Sequence, residues 1–134
     1  MMLKVLRGDA TGEMELSGTR SDLVALAREL RIGEGEVLLE RVSNPSPYSR
    51  SLSRIKYRQA SGKIMISSSG DSESLEIQGG LELLSLLSEN IEGFALQASQ
   101  DDHFHVDYFP GHDYLAKGSG SLVVAIDSDA NPRS

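Results

Sequence analysis

All three histidines of the chain lie within ten residues, in a segment that also carries carboxylates and aromatic rings. The segment spans residues 101–113 and reads Asp-Asp-His-Phe-His-Val-Asp-Tyr-Phe-Pro-Gly-His-Asp. Imidazole and carboxylate groups bind divalent metals, transfer protons, and pair with the arginines and lysines of a partner. The candidate chemistry of this protein therefore starts from this segment.

Alternation of polar and apolar residues predicts a strand over residues 103–109. Successive side chains of a strand point to opposite faces, so the two faces differ in character. An aromatic and aliphatic face is typical of packing on a core, and the opposite face would meet solvent or a ligand. The polar face comprises His103, His105 and Asp107, and the apolar face comprises Phe104, Val106 and Tyr108.

Three interpretations of the polar face remain open. A metal-dependent enzyme or metal-binding protein would use His103, His105, Asp107 and His112, the last returning after the Pro-Gly turn. A recognition surface would pair the same groups with basic side chains of a partner. A solvated strand face is the third. The sequence contains no His-Glu-x-x-His motif, nucleophile elbow or phosphate-binding glycine loop, so no recognised catalytic motif accompanies these residues.

Composition restricts the class of protein. The chain has 134 residues, of which 39% are hydrophobic, and this composition predicts one folded domain over residues 1–134. Cysteine is absent, which excludes disulfides, thiolate metal sites and cysteine nucleophiles. No apolar run approaches the ~18 residues of a membrane span, and Lys4 comes too early for a signal peptide. We therefore expect a cytoplasmic protein with no membrane partner.

The charge is distributed unevenly along the chain. Residues 1–63 carry 11 lysines and arginines against 8 acidic residues, whereas residues 64–134 carry 2 against 12. An acidic half repels nucleic acid phosphates, so the sequence predicts no nucleic acid partner. It would attract a basic protein and accelerate the encounter.

The chain aligns with itself at an offset of 61 residues. Two strands and a helix are predicted over residues 3–31, and the same pattern recurs over residues 64–91. An internal duplication of a strand–strand–helix–strand unit, over about residues 1–62 and 63–129, accounts for this similarity. The aligned pairs include Leu3 with Ile64, Leu16 with Ile77, Gly18 with Gly79 and Leu23 with Leu84.

These elements predict an α+β fold, with an antiparallel or mixed sheet and two helices packed on one face. Thr19 would cap the first helix and Gly33 would end it. The second helix, near residues 81–91, is apolar almost all round, so it is either buried or forms the contact of a dimeric regulatory subunit. We expect strands at residues 94–97 and 121–127, the latter apolar on both faces and central.

The C-terminal half resembles a known family. The residues that carry this resemblance run from His103 to Phe109 and continue with His112, Tyr114, Leu115, Ser119, Ser121, Leu122 and Val123. They are similar to the C-terminal signature of the immunity protein 32 family of bacterial polymorphic toxin systems. The resemblance implies a small cytosolic α+β protein that binds and blocks a cognate toxin, without enzymatic activity or a cofactor.

The leading interpretation is therefore a protein that inhibits a bacterial toxin by occluding its active site. The acidic second half favours a basic site on that toxin. Acidic and histidine side chains would enter the site, and aromatic rings would supply apolar anchors. The predicted partner-binding residues are His103, His105, Asp107, Tyr108, Phe109, His112, Asp113 and Tyr114.

Overall fold

The computed structural model describes residues 2–68, 73–99 and 102–127. These residues form two helices and nine strands, which confirms the predicted α+β class. In chain order the elements are β1 (Lys4–Arg7), β2 (Met14–Gly18), α1 (Arg20–Ile32), β3 (Gly35–Leu38), β4 (Arg50–Ser51), β5 (Arg54–Gln59), β6 (Met65–Ser67), β7 (Ser74–Gly79), α2 (Leu81–Gln97), β8 (His103–Val106) and β9 (Leu122–Ile126).

The strands divide between two mixed sheets. The five-stranded sheet has the order β4-β1-β2-β9-β8, and the four-stranded sheet has the order β3-β5-β7-β6. Each sheet contains one parallel pair, β2 with β9 and β5 with β7, and its other pairs are antiparallel. Strand β9 lies between two neighbours, as its apolar sequence predicts.

Each sheet combines strands from both halves of the chain. The hairpin β1–β2 is extended by β9 and β8, and the hairpin β6–β7 is extended by β5 and β3. Apart from β4, which is added at one edge of the five-stranded sheet, the order of strands and the parallel pairing next to each hairpin are the same in the two sheets. The duplication itself stays a prediction, and it requires that the two sheets share this strand order.

Helix α1 has the limits that its sequence predicts. The Oγ1 atom of Thr19 accepts a hydrogen bond from the backbone N–H of Asp22 at 3.2 Å, which satisfies one free donor of the first turn. The helix ends at Gly33, whose φ of 95° is a left-handed conformation that glycine adopts without strain. The acidic Asp22 and the basic Arg31 lie at the ends favoured by the helix dipole.

The two helices bury the stripes predicted for them and contribute to one hydrophobic core shared with both sheets. On α2, Leu83 and Leu86 are half-buried against this core, and Leu81 remains exposed. The extra leucines of α2 are thus mostly used inside the chain. The buried helical residues are Leu23, Leu26, Ala27 and Leu30 on α1, and Leu84, Leu87, Ser88, Ile91 and Ala95 on α2.

Two expected strand assignments change near the candidate site. The strand expected at residues 94–97 is wrong, because α2 continues to Gln97 and Ala95 extends its buried stripe one turn beyond Ile91. The strand expected over residues 103–109 ends at Val106. The chain leaves the sheet at that point, and residues 107–121 form a loop that leads to β9.

Candidate functional site

Strand β8 forms one edge of the five-stranded sheet. Its inward residues are Phe104, half-buried, and Val106, buried, while His103 and His105 are exposed on the outer face. The ring of Phe104 stacks on Phe94 of α2, with the ring centroids 5.9 Å apart. This stacking joins the edge strand to the helix, and both imidazoles remain exposed to solvent.

The third member of the predicted polar face comes from the loop. Asp107 is exposed, and its Oδ2 lies 3.9 Å from Nδ1 of His105. The pair carries opposite charges only when the imidazole is protonated. The next residue, Tyr108, turns toward the core and is half-buried. Asp107 and the histidines therefore form one exposed polar group at the sheet edge.

His112 is buried, and its side chain makes hydrogen bonds and ring contacts within the loop. Its Nδ1 accepts hydrogen bonds from the backbone N–H groups of Tyr114 and Leu115, both at 3.1 Å. Its ring packs on Phe109, with centroids 4.7 Å apart, and on Tyr114, with centroids 4.6 Å apart. This imidazole holds the loop in shape, since it satisfies two backbone donors that would otherwise be buried without partners.

The loop is also tied to the rest of the fold. The Nζ group of Lys63 donates to the carbonyl oxygen of His112 at 2.6 Å. The amide of Asn90 on α2 donates to the hydroxyl of Tyr114 at 3.2 Å. Backbone hydrogen bonds join Ile64 to Tyr114 and to Ala116, each at 2.7 Å. The loop is therefore a fixed part of the surface between α2 and β6.

The eight residues predicted to bind a partner thus divide into two groups. Tyr108 is half-buried, and His112 and Tyr114 are buried, so these three position the segment. Phe109 keeps 58% of its surface exposed, although one side of its ring packs on His112. The exposed group consists of His103, His105, Asp107, Phe109 and Asp113.

The described residues do not form the metal site of the alternative interpretation. In the described parts of the chain, no group of three or more histidine, aspartate or glutamate side chains is placed to hold a metal ion. His112 cannot join His105 through Nδ1, because that atom already accepts two backbone hydrogen bonds. The geometry therefore gives no support to a metal-binding function for these residues.

An open cleft of about 360 Å³ lies beside His103, between the end of α2 and the start of β8. Near this cleft, the guanidinium of Arg20 donates hydrogen bonds to the carbonyl oxygens of Ala95 and Ala98. These bonds satisfy acceptors at the end of α2. Asp101, which the sequence places at the start of the segment, lies outside the described residues. The cleft is lined by Gly93, Phe94, Gln97, Ala98, Asp102 and His103.

The outer face of the sheet brings further residues next to the histidines. His105 pairs with Val123 of β9, Val123 pairs with Glu15 of β2, and Glu15 pairs with Leu6 of β1. Leu6 and Glu15 belong to no motif in the sequence. Strand alternation is the one sequence signal that places both on the face opposite the core.

One family model matches part of the chain. The model of the immunity protein 32 family matches residues 74–126, a segment that contains β7, α2, β8, the loop and β9. The match confirms the resemblance drawn from His103–Phe109 and the residues that follow. Comparison with curated proteins and with solved structures gave no match. In the described residues, no helix combines the length and apolar character needed to cross a bilayer.

Proposed function

We propose that this chain is a binding protein of the bacterial cytoplasm that inhibits a cognate toxin by covering the toxin's active site. One observation carries the proposal. The segment that matches the immunity protein 32 family, residues 74–126, contains all five exposed residues of the candidate site. A function in binding requires no reaction, so we infer that the chain acts without catalysis and without a cofactor.

The shape of the loop supports inhibition by steric occlusion. A rigid segment loses little conformational entropy when it binds, and more of the contact energy then remains as affinity. The loop is held by His112 and Lys63, and it presents the ring of Phe109 to solvent. We expect Phe109 to enter an apolar recess beside the toxin's active site, since exposed aromatic side chains are the usual anchors of interfaces.

The charges near Phe109 support a basic target. Asp107 and Asp113 lie on either side of it in the chain, and both are exposed. Residues 64–134 as a whole carry 12 acidic residues against 2 basic ones. Toxins that cleave nucleic acids have basic clefts, and an acidic segment would fill such a cleft in place of the phosphates. Charges of opposite sign would also raise the rate of association.

Growth of cells that express the toxin tests this proposal. The probe is the product of the reading frame immediately upstream of this gene, expressed with and without this chain. We expect wild-type chain to restore growth, and Asp107→Asn and Phe109→Ala each to reduce protection. The control is Lys56→Gln, because Lys56 is an exposed residue of β5 in the other sheet. This variant should protect fully. Growth arrest that persists with the wild-type chain would contradict the proposal.

A further inference from the structure

One buried apolar residue lies on the wrong side of the sheet for the core. Among the described residues, Val123 is the buried hydrophobic side chain that does not belong to the core cluster. It is 6% exposed and lies on the outer face of the five-stranded sheet, beside Glu15 and His105.

Several uncharged side chains lie next to Val123 or in the adjacent row of the outer face. Ser17 is buried, and Leu6 and Ala125 are half-buried. Across the sheet these residues form two adjacent rows, and each row ends at a histidine of β8. The first row is Leu6, Glu15, Val123 and His105, and the second is Lys4, Ser17, Ala125 and His103.

The four-stranded sheet supplies an internal comparison. Glu76 of β7 is the residue 61 positions after Glu15, and its parallel neighbour is Lys56 of β5. Val123 thus occupies in one sheet the place that Lys56 occupies in the other, and Ala125 likewise corresponds to Arg58. Both basic residues are exposed. The four-stranded sheet is thus charged at these two positions, whereas the face beside the histidines is uncharged there.

The rim of this face is acidic. Lys4 is the one lysine or arginine among the described strand residues on this face of the five-stranded sheet, and its Nζ lies 2.9 Å from Oδ2 of Asp127. On the opposite side, burial and the nearby charges of Glu15 and Glu13 raise the pKa of Tyr48. Asp107 adds a further carboxylate next to His105. An apolar centre with an acidic rim is the arrangement expected of a protein-binding surface.

We propose that the outer face of β1, β2, β9 and β8 is the docking surface for the toxin, and that it receives a basic surface of that protein. The inference rests on the proposed function and extends the contact with the toxin from the candidate site across the sheet. An apolar side chain of the toxin covers Val123 and Ala125. Arginines or lysines around it pair with Glu15 and Asp107.

Charge argues for the toxin over a second copy of this chain. In a two-fold symmetric dimer the same patch faces itself, so Glu13, Glu15 and Asp107 of one copy would approach those of the other. Facing carboxylates repel each other, and the outer face offers Lys4 as its own cation, already paired with Asp127. A basic partner meets no such repulsion.

Binding measurements with matched variants test the docking surface. The probe is the purified upstream gene product, made inactive by mutation and immobilised for kinetic measurement. We expect Ala125→Arg to weaken binding about thirtyfold or more, because a long charged side chain fills the apolar centre. Glu15→Gln should weaken it about tenfold, mainly through slower association. The matched controls on the four-stranded sheet are Gln78→Arg and Glu76→Gln, and both should bind like the wild-type chain.

The outcomes separate this inference from the proposed function. If the wild-type chain does not bind the probe, both are overturned. If it binds, and Ala125→Arg and Glu15→Gln bind as tightly as their controls, the docking surface is overturned and toxin inhibition stands. Glu15→Gln adds no volume and keeps the test valid if Ala125→Arg does not fold. A dimer in sedimentation that Ala125→Arg dissociates would assign the face to a second copy and overturn the inference.

Discussion

Ser88 on α2 donates a hydrogen bond from its hydroxyl to the carbonyl oxygen of Ala27 on α1, the residue 61 positions before it. Both residues are fully buried where the helices meet. Arg7 and Ser68, also 61 positions apart, are joined by a hydrogen bond of 2.9 Å. Residues related by a two-fold axis touch only close to that axis. The two contacts are therefore those expected if the halves of the chain are related by an approximate two-fold rotation.

The same offset relates two glycines that allow close packing of the hairpins. A Cβ atom at Gly18 would lie 2.5 Å from Cδ2 of Leu3, and one at Gly79 would lie 2.8 Å from Cα of Ile64. We predict that Gly79→Ala destabilises the fold by about 1–3 kcal/mol, because its clash is with backbone. Gly18→Ala should cost less, since the end of a leucine side chain can move. Urea denaturation measures both.

The control for these substitutions is Gly93→Ala within α2. A Cβ atom at Gly93 meets no other atom within 4 Å, and alanine is the better helix former. The variant should be more stable than wild type by up to ~1 kcal/mol. If Gly79→Ala were as stable as Gly93→Ala, the close approach of β7 to Ile64 would be incorrect.

The local features of the fold could be predicted from the sequence because their causes lie close together in the chain. Thr19 and Gly33 define α1 through bonds to neighbouring residues, and alternation correctly placed His103 and His105 on an exposed face. The exchange of strands between sheets could not be predicted in this way. The parallel pairing of Met14 with Leu122 depends on packing between distant segments, and nothing local specifies it.

The role of His112 was beyond sequence reasoning for the same reason. Proximity to His103 and His105 suggested a shared surface, but the ring is buried between Phe109 and Tyr114. We predict that His112→Ala costs about 1–3 kcal/mol, because two buried backbone donors lose their acceptor. His103→Ala, at an exposed residue, should stay within ~0.5 kcal/mol of wild type. Faster hydrogen exchange at the amides of Tyr114 and Leu115 would locate the change.

Equal stability of the two histidine variants would contradict this assignment of His112. The comparison is well matched because both substitutions remove an imidazole from the same segment. The hydrogen exchange measurement also distinguishes a loosened loop from a general loss of stability, since amides of β1 and β2 should keep their protection when the loop alone opens.

Tyr57 should ionise at a higher pH than an ordinary tyrosine. Burial, and then the hydrogen bond to Glu29 and its negative charge, raise the pKa of Tyr57 from 10.0 to about 12. The phenol donates to Oε1 of Glu29 at 3.0 Å. In an alkaline titration followed by phenolate absorbance, we expect a late phase that disappears in Tyr57→Phe. Glu29→Gln should shift this phase to lower pH without abolishing it, because burial is the larger cause.

The raised pKa also fixes the direction of the stability change. A group whose pKa is higher in the folded state stabilises the fold fully below its unfolded pKa, near 10.0 here. That contribution is lost as the pH rises toward about 12. Wild-type chain should therefore lose stability over this range more steeply than Tyr57→Phe. An equal loss in both proteins would show that ionisation of Tyr57 has no part in it.

Electrostatic attraction predicts salt-dependent capture of the toxin. The Debye length falls from about 30 Å at 0.01 M salt to about 8 Å at 0.15 M, so the association rate should fall over this range. Dissociation should change less, because central contacts are desolvated. Asp107→Asn should slow association, and Arg54→Gln, on the other sheet, should barely alter it. Rapid mixing measures both rates, and association that does not depend on salt would contradict a basic target.

Titration of the active toxin with the purified chain tests the central claim most directly. The quantity measured is the residual activity of the upstream gene product as the molar ratio of the two proteins increases. If this chain inhibits by covering the active site, activity falls in proportion to the added chain and reaches baseline near an equimolar ratio. Toxin activity that remains unchanged at a large molar excess of folded chain would contradict the claim.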